Sequence, residues 1–193
     1  MSRVLRRLLL TTVCGALLLP ALGAGPAQAA MPSQQEWLAD VTAAMRGSQR
    51  FVDARATVRA RPEDGRLAVN LDIDNTSLSS HYDYGKAIGV TLRFARNARE
   101  NDVAVLFNTG RVVGDGRLAR ARRLLVAAGF PVTAICGRSS STESLAASKQ
   151  RCRQQYVDRG YTIIANVGNR ATDFVGDNYE RAYRLPNYGN QLA

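Results

Sequence analysis

The sequence predicts an α/β fold, a parallel sheet with helices on both faces, and two observations carry that expectation. Four short apolar runs of buried-strand type, Leu67 to Leu71, Val103 to Phe107, Pro131 to Ile135 and Tyr161 to Val167, alternate with segments of helical spacing. Polar residues then gather just after these runs, where ligands sit in such sheets. Asp72 and Asp74 follow the first run, Asn108-Thr109-Gly110-Arg111 ends the second, and Gly168 to Asp173 ends the fourth.

Each element has its own local warrant. Ser33-Gln34-Gln35-Glu36 reads as a capping box, and Trp37, Leu38, Val41, Ala44 and Met45 follow at helical spacing, so an amphipathic helix opens the domain. Pro62 and Gly65 mark a loop delivering the chain into the first strand. Ala87 to Arg99 is helical in pattern. The helix Leu118 to Ala128 ends at Gly129, with Pro131 blocking its continuation, and a further helix from about Thr142 to Arg159 ends at Gly160.

At 193 residues and 46% hydrophobic content the chain has enough material for one domain with a real core. The first thirty residues stand apart. Arg3, Arg6 and Arg7 precede an apolar run interrupted by Gly15, Pro20, Gly23 and Gly25, and Ala27-Gln28-Ala29 supplies a small-x-small cleavage pattern. The expectation is a signal peptide over 1–29 and one domain over 30–193, with export and no stable membrane insertion after cleavage. Removing three arginines and no acids turns the net charge of +10 into +7. The arginines are scattered and aromatic stacking platforms are lacking, so no specific nucleic-acid partner is expected. Cys136 and Cys152 survive processing, and an exported chain with two cysteines would normally join them. Metal ligation by these two and the single His81 does not match a structural zinc set.

A buried strand that ends in two acids needs a cation or proton between them, because converging carboxylates repel and are costly to bury. Asp72, Asp74 and Asp173, the hydroxyl-glycine pair Thr109-Gly110 and Lys149 stand at strand ends or on the last helix of the alternation. Together they form an inventory for phosphoryl transfer, with carboxylates for a divalent cation and lysine, hydroxyl and backbone N–H groups for phosphate oxygens. Singly, each has a plainer reading as turn, helix cap or solvated side chain.

Taken in order, LDIDNT, FNTGR, Lys149 and GNRATD resemble the four motifs of the haloacid dehalogenase (HAD) superfamily of phosphatases over about a hundred residues. DIDNTSLSSHYDY, with the Lys149 helix running into RGYTIIANVGNRATDF, is similar to the acid phosphatase branch that includes plant vegetative storage proteins and bacterial secreted enzymes. The resemblance implies a Rossmann-like core. It implies Asp72 as nucleophile, Asp74 as general acid and then base, and Thr109, Gly110 and Lys149 as phosphate binders. Mg2+ would be held by the Asp72 carboxylate, the Asp74 main-chain carbonyl and the fourth motif, Asn169 and Asp173. Asn169 departs from the acid common in that family, and an amide oxygen ligates without contributing charge. The segment between Asp74 and the second strand leaves no room for a large cap domain. His81, Tyr82 and Tyr84 either line the leaving-group side or pack a flap.

The resulting expectation is a secreted, Mg2+-dependent phosphomonoesterase acting on small phosphate monoesters. Two rivals are a non-catalytic phosphate-binding or storage protein and a phosphatidate-type lipid phosphatase. Retention of both Asp72 and Asp74 argues against the first, and the lack of an obvious amphipathic membrane helix after residue 30 against the second.

Overall fold

The computed structural model describes residues 31–58, 65–114 and 116–192. The expected signal segment 1–29 lies outside the described residues.

Five strands form one parallel sheet: β1 (Arg66–Leu71), β2 (Ala104–Val112), β3 (Ala134–Arg138), β4 (Tyr161–Gly168) and β5 (Arg181–Arg184), in the order β3-β2-β1-β4-β5. The α/β expectation stands, with a fifth strand that the apolar runs did not reveal. Successive side chains of a strand point to opposite faces. Leu67, Val69 and Leu71 of β1 and Val105 and Phe107 of β2 accordingly enter one core, while Ala68 and Leu106 enter another. The larger core is closed by α1 (Gln34–Ala44), α2 (Ser48–Thr57), α3 (Gly89–Glu100) and α4 (Arg117–Ala127), through Trp37, Val41, Val52, Phe94, Ala98, Ala121 and Leu125. The opposite face is covered by α5 (Leu145–Asp158). Between β1 and β4 the register shifts after Ala68, so that Ile164 is extra and joins the same core as Ala165.

The single opening helix of the sequence reading is two helices. Ser33 caps α1 as expected, its hydroxyl accepting from the Glu36 amide at 3.3 Å while Glu36 accepts from the Ser33 amide at 2.8 Å. Gly47 then takes the left-handed conformation (φ 78°), open to glycine at no steric cost, and α2 starts on a new axis.

On α5 the buried face consists of Ser148, Lys149, Cys152, Arg153 and Tyr156. A helix that buries polar groups must satisfy them. Tyr156 donates to the Phe107 carbonyl at 2.7 Å, and fully buried Arg153 donates to the carbonyls of Asp173 (2.8 Å) and Val175. This face ties α5 to the strand ends where the chemistry was expected.

Candidate active site

The chain runs β1, β2, β3 to one side and then returns to place β4 on the other flank of β1. A crevice opens at such a switch point, at the carboxyl ends of the strands. Asp72 follows β1 there, its amide donating to the Val167 carbonyl of β4 at 2.9 Å, and Asn169 follows β4.

Lys149 reaches this point from α5. Its ammonium donates to Asp72 Oδ1 and to the Asn108 carbonyl (2.6 Å) and is ion-paired with Asp173 Oδ1 at 2.7 Å. Two hydrogen bonds and one ion pair thus place three oxygens around the ammonium. Side-chain exposure is 10% for Asp72, 5% for Lys149 and 3% for Asp173. Burial pushes the Asp72 carboxyl up to about 6, with Lys149 pulling the other way and Asp173 and Asp74 adding to the rise. For Lys149, burial alone favours the neutral amine, but Asp72 and Asp173 more than reverse it and raise its pKa.

Asparagine amides support the lysine from behind. Asn108 donates to the Lys149 carbonyl at 2.7 Å, Asn70 donates to Asn166 at 2.6 Å, and Asn166 donates to the Asp173 carbonyl at 2.8 Å. Asp173 folds back over Gly168, where an added Cβ would come within 2.6 Å of the Asp173 side chain, so the close approach requires glycine. With Oδ1 on Lys149 and Oδ2 accepting from the Arg170 amide at 2.9 Å, Asp173 is a partner of the lysine. Asn169 and Asp173 of the fourth motif are both buried at this point.

Asp74 has a different setting. Its Oδ1 accepts from Ser80 at 2.8 Å and pairs with Arg111 Nη2 at 2.7 Å, and its side chain is 39% exposed. The turn after the acids is held by Asn75, which takes a left-handed conformation (φ 51°) that asparagine tolerates better than most residues. Its Oδ1 accepts from the amides of Ser80 and His81, and Ser77 donates to the Asp72 carbonyl at 2.6 Å. Asp72, Asp74, Gly110, Lys149 and Thr172 share a cavity of ≈ 240 Å³ with Arg111, Arg117, Arg170 and Leu145. A larger groove of ≈ 790 Å³ between α1, α2 and the start of α3 has no acid among the described residues that line it.

Thr109 lies buried beside this cavity, its hydroxyl accepting from the Arg111 amide at 3.4 Å. Tyr82 stacks on Trp37 with ring centroids 5.1 Å apart and donates to the Pro32 carbonyl, and His81 meets the Tyr82 ring edge-on. Tyr82 thus packs the flap, while His81 and Tyr84 are exposed. Residues 75–88 form a short flap and leave the site without a large cap.

The pair Cys136–Cys152 is a disulfide with Cα atoms 5.6 Å apart, joining the middle of β3 to α5 one turn beyond Lys149. Arg151 strengthens the same junction by donating to the Gly137 carbonyl at 2.8 Å and pairing with Glu143, whose carboxyl that bond holds down at about 2.

Divalent-cation chemistry fits the crevice on one specific observation. Asn169 Oδ1 is buried without a hydrogen-bond partner, while its Nδ2 donates to the Leu192 carbonyl at 3.0 Å, which fixes which end of the amide faces inward. An orphaned buried acceptor invites a cation or water. Among the described residues no group of three or more His, Cys, Asp or Glu gathers at metal-ligating spacing, so a cation here would rely on the Asp72 carboxylate, the Asn169 amide and main-chain oxygen.

Sequence reading missed Arg111, Arg170, Thr172 and Ser80 as site residues. The first three stood inside FNTGR and GNRATD, where position beside a matched residue was the available signal.

Comparison with known structures agrees with the fold. The class C acid phosphatase of Bacillus anthracis superposes with a TM-score of 0.61 at 16% identity, covering 80% of this chain and 79% of that chain. The same enzyme with tungstate bound gives 0.58 at 16% identity, with the same coverage of both chains. No curated protein sequence matches the chain. The family model "HAD superfamily, subfamily IIIB (Acid phosphatase)" matches residues 82–191, a span that begins after Asp74 and includes Thr109, Lys149, Asn169 and Asp173. With more than half of the sequence inside that match, the chain belongs to subfamily IIIB of the HAD superfamily, the acid phosphatases, and is a phosphoric monoester hydrolase.

Proposed function

We propose that this protein is an exported, Mg2+-dependent phosphatase that hydrolyses small phosphate monoesters through a phosphorylated Asp72. The observation that carries this reading is the buried lysine bridging Asp72 and Asp173 on the floor of a small cavity that Asp74 overlooks.

In the first step an Asp72 carboxylate oxygen attacks phosphorus and the bond to the leaving oxygen breaks, with Asp74 supplying the proton that the departing alkoxide takes up. In the second, Asp74 as carboxylate takes a proton from water, the water oxygen attacks phosphorus, and the bond to Asp72 breaks to release phosphate. Lys149 holds Asp72 in one orientation and offsets phosphoryl charge. The Thr109 hydroxyl and the Gly110 amide receive phosphoryl oxygens. An added Cβ on Gly110 would come within 2.7 Å of Leu145, so the backbone there stays close to α5. A Mg2+ bound by Asp72, the Asp74 carbonyl and Asn169 would stabilise the ionised nucleophile and neutralise phosphate charge.

Export rests on the basic, apolar and small-residue pattern of residues 1–29, with one domain over 30–193. Among the described residues no helix is long and apolar enough to cross a membrane. A storage role requires no ready-made nucleophile, and the cavity wall is too polar for acyl chains, with Leu145 as its apolar contribution.

The test is hydrolysis of an aryl phosphate by the purified mature chain with and without Mg2+, followed by acid quenching and mapping of the phosphorylated peptide. Label on the peptide that contains Asp72, dependent on Mg2+, is the expected result. Turnover with no acylphosphate, or label on another residue, would falsify the covalent route.

A further inference from the structure

We propose that the natural substrate carries a second anionic group, phosphate or carboxylate, on its leaving alcohol, and that Arg170 and Arg111 bind it. This inference rests on the phosphomonoesterase reading above and names the substrate class of the same site.

The observations concern charge and the character of the cavity wall. Lys149 is held between Asp72, Asp173 and the Asn108 carbonyl and is thereby committed to the reacting end of the site. Arg111 meets Asp74 through Nη2, which leaves its Nε and Nη1 edge for a ligand. Arg170 is engaged through its main-chain amide, which donates to Asp173, and no acid among the described residues pairs with its guanidinium. Both arginines line the same ≈ 240 Å³ cavity as Asp74, the residue that adjoins the leaving oxygen in the proposed chemistry. The leaving group therefore departs past these two guanidinium groups, with Arg117 adding a third positive charge to the same wall. A planar fork of N–H donors is matched by the oxygens of a carboxylate or phosphate and by nothing in a neutral alcohol.

The rest of the wall excludes other recognition modes. Among the described residues no aromatic ring lines the cavity, so a nucleobase or aryl group has nothing there to stack on, and Leu145 gives little apolar surface.

Three esters of similar size separate the cases in the mature, Mg2+-loaded protein: glycerol monophosphate with a neutral leaving group, phosphoglycerate with a carboxylate, and glycerol bisphosphate with a second phosphate. We expect kcat/KM about 10- to 100-fold higher for one or both of the doubly anionic esters, the scale of one or two charge-assisted hydrogen bonds. Which of the two is preferred identifies the second anion. Arg170→Gln should bring that ratio down towards one, and Arg170→Lys should restore part of it. Equal kcat/KM for all three esters, or a ratio unchanged in Arg170→Gln, overturns the proposal. Calorimetric Kd values for propylphosphonate and propane bisphosphonate read the second-anion site without turnover. Tighter binding of the bisphosphonate that is lost in Arg170→Gln supports the site even if no ester is hydrolysed, in which case the phosphatase reading alone fails. Equal Kd values overturn the site whatever the turnover.

Discussion

Two acids stand two positions apart after β1, and the fold treats them in opposite ways. Asp72 is sealed against Lys149 and Asp173, with side-chain exposures of 10%, 5% and 3%, whereas Asp74 lies 39% exposed beside Arg111. A buried set of charges is stiff and energetically consequential, while a pair at the water's edge gains little from its Coulomb attraction. The division suits the proposed roles. A nucleophile benefits from one fixed orientation, and a group that gives and takes protons benefits from contact with solvent.

The largest effect should come from removing the cation of the buried set. Lys149→Met leaves Asp72 and Asp173 facing each other with no positive charge between them. Loss of one member of a buried ionic cluster typically costs about 3–5 kcal/mol, so urea unfolding at about pH 7.5 should show a loss of that size together with abolished turnover. Near pH 4.5, where Asp72 takes up a proton, part of the loss should be recovered. An equal loss at both pH values would assign Lys149 to packing.

The next effect concerns what holds the lysine in place. Cys152 is three residues after Lys149 on α5, and its bond to Cys136 closes a segment of 16 residues. Constraining a chain of that length contributes about 3 kcal/mol in the entropy model. Replacing both cysteines by serine should lower the unfolding free energy by about that amount. It should also lower turnover, because positioning errors of about an ångström can cost on the order of a hundredfold in rate. Reduced stability with full activity would confine the disulfide to a structural role.

A smaller effect, of opposite sign, should follow Asp72→Asn in the metal-free protein. The folded pKa of Asp72, about 6, lies above the roughly 3.9 of an unfolded aspartate, so the folded state holds the proton more tightly. Stability from this group is then fully present below about pH 4 and is lost as pH rises through 6. Asparagine mimics the protonated form. Relative to the wild type, the variant should therefore fare better at pH 7.5 than near pH 4, although it has lost its nucleophile. A variant that fares no better at pH 7.5 than near pH 4 would mean that Asp72 is a net stabilising partner of Lys149.

The same contrast separates what the sequence made legible from what it hid. The strands β1, β2 and β4 announced themselves as apolar runs, whereas β3 (Ala134–Arg138) shares only Ala134 and Ile135 with the expected run Pro131 to Ile135; the positions after the runs exposed Asp72, Asp74, Thr109 and Asn169. Some boundaries moved for local reasons. Ala87 joins an antiparallel bridge with Leu78, so α3 starts at Gly89, and Ser144 caps α5, whose hydroxyl accepts from the Ala147 amide, so the helix begins at Leu145. β2 continues through Thr109-Gly110-Arg111, a stretch that read as its terminal turn. β5 was hidden because Arg181–Arg184 is a short edge strand with Tyr183 as its buried residue. The Asp173–Lys149 pair and the buried Arg153 were hidden more deeply. Hydropathy places such residues outside, and only the packing of α5 on the strand ends shows that they are paired.

The smallest stability effect, and the sharpest separation of stability from chemistry, should come from the exposed pair. Arg111→Gln removes a partner of Asp74 that sits 2.7 Å away, but both side chains touch solvent, so the unfolding free energy should change by at most about 1 kcal/mol. Activity should respond differently. Ser80 still donates to Asp74, so the acid remains, held by one neighbour where it had two. Its contribution matters only when the leaving oxygen needs a proton. A nitrophenolate departs readily without one, while a simple alkoxide does not. The variant should therefore lose about tenfold in kcat on an alkyl phosphate with no second charge and much less on nitrophenyl phosphate, because a group acting through the general acid is felt in proportion to the proton demand. Measuring kcat for both esters in wild type and variant isolates this term from any shared effect on phosphate binding. Equal losses on the two esters would show that Arg111 acts on the phosphoryl group itself, and the division of labour between the sealed nucleophile and the solvent-edge acid would have to be redrawn.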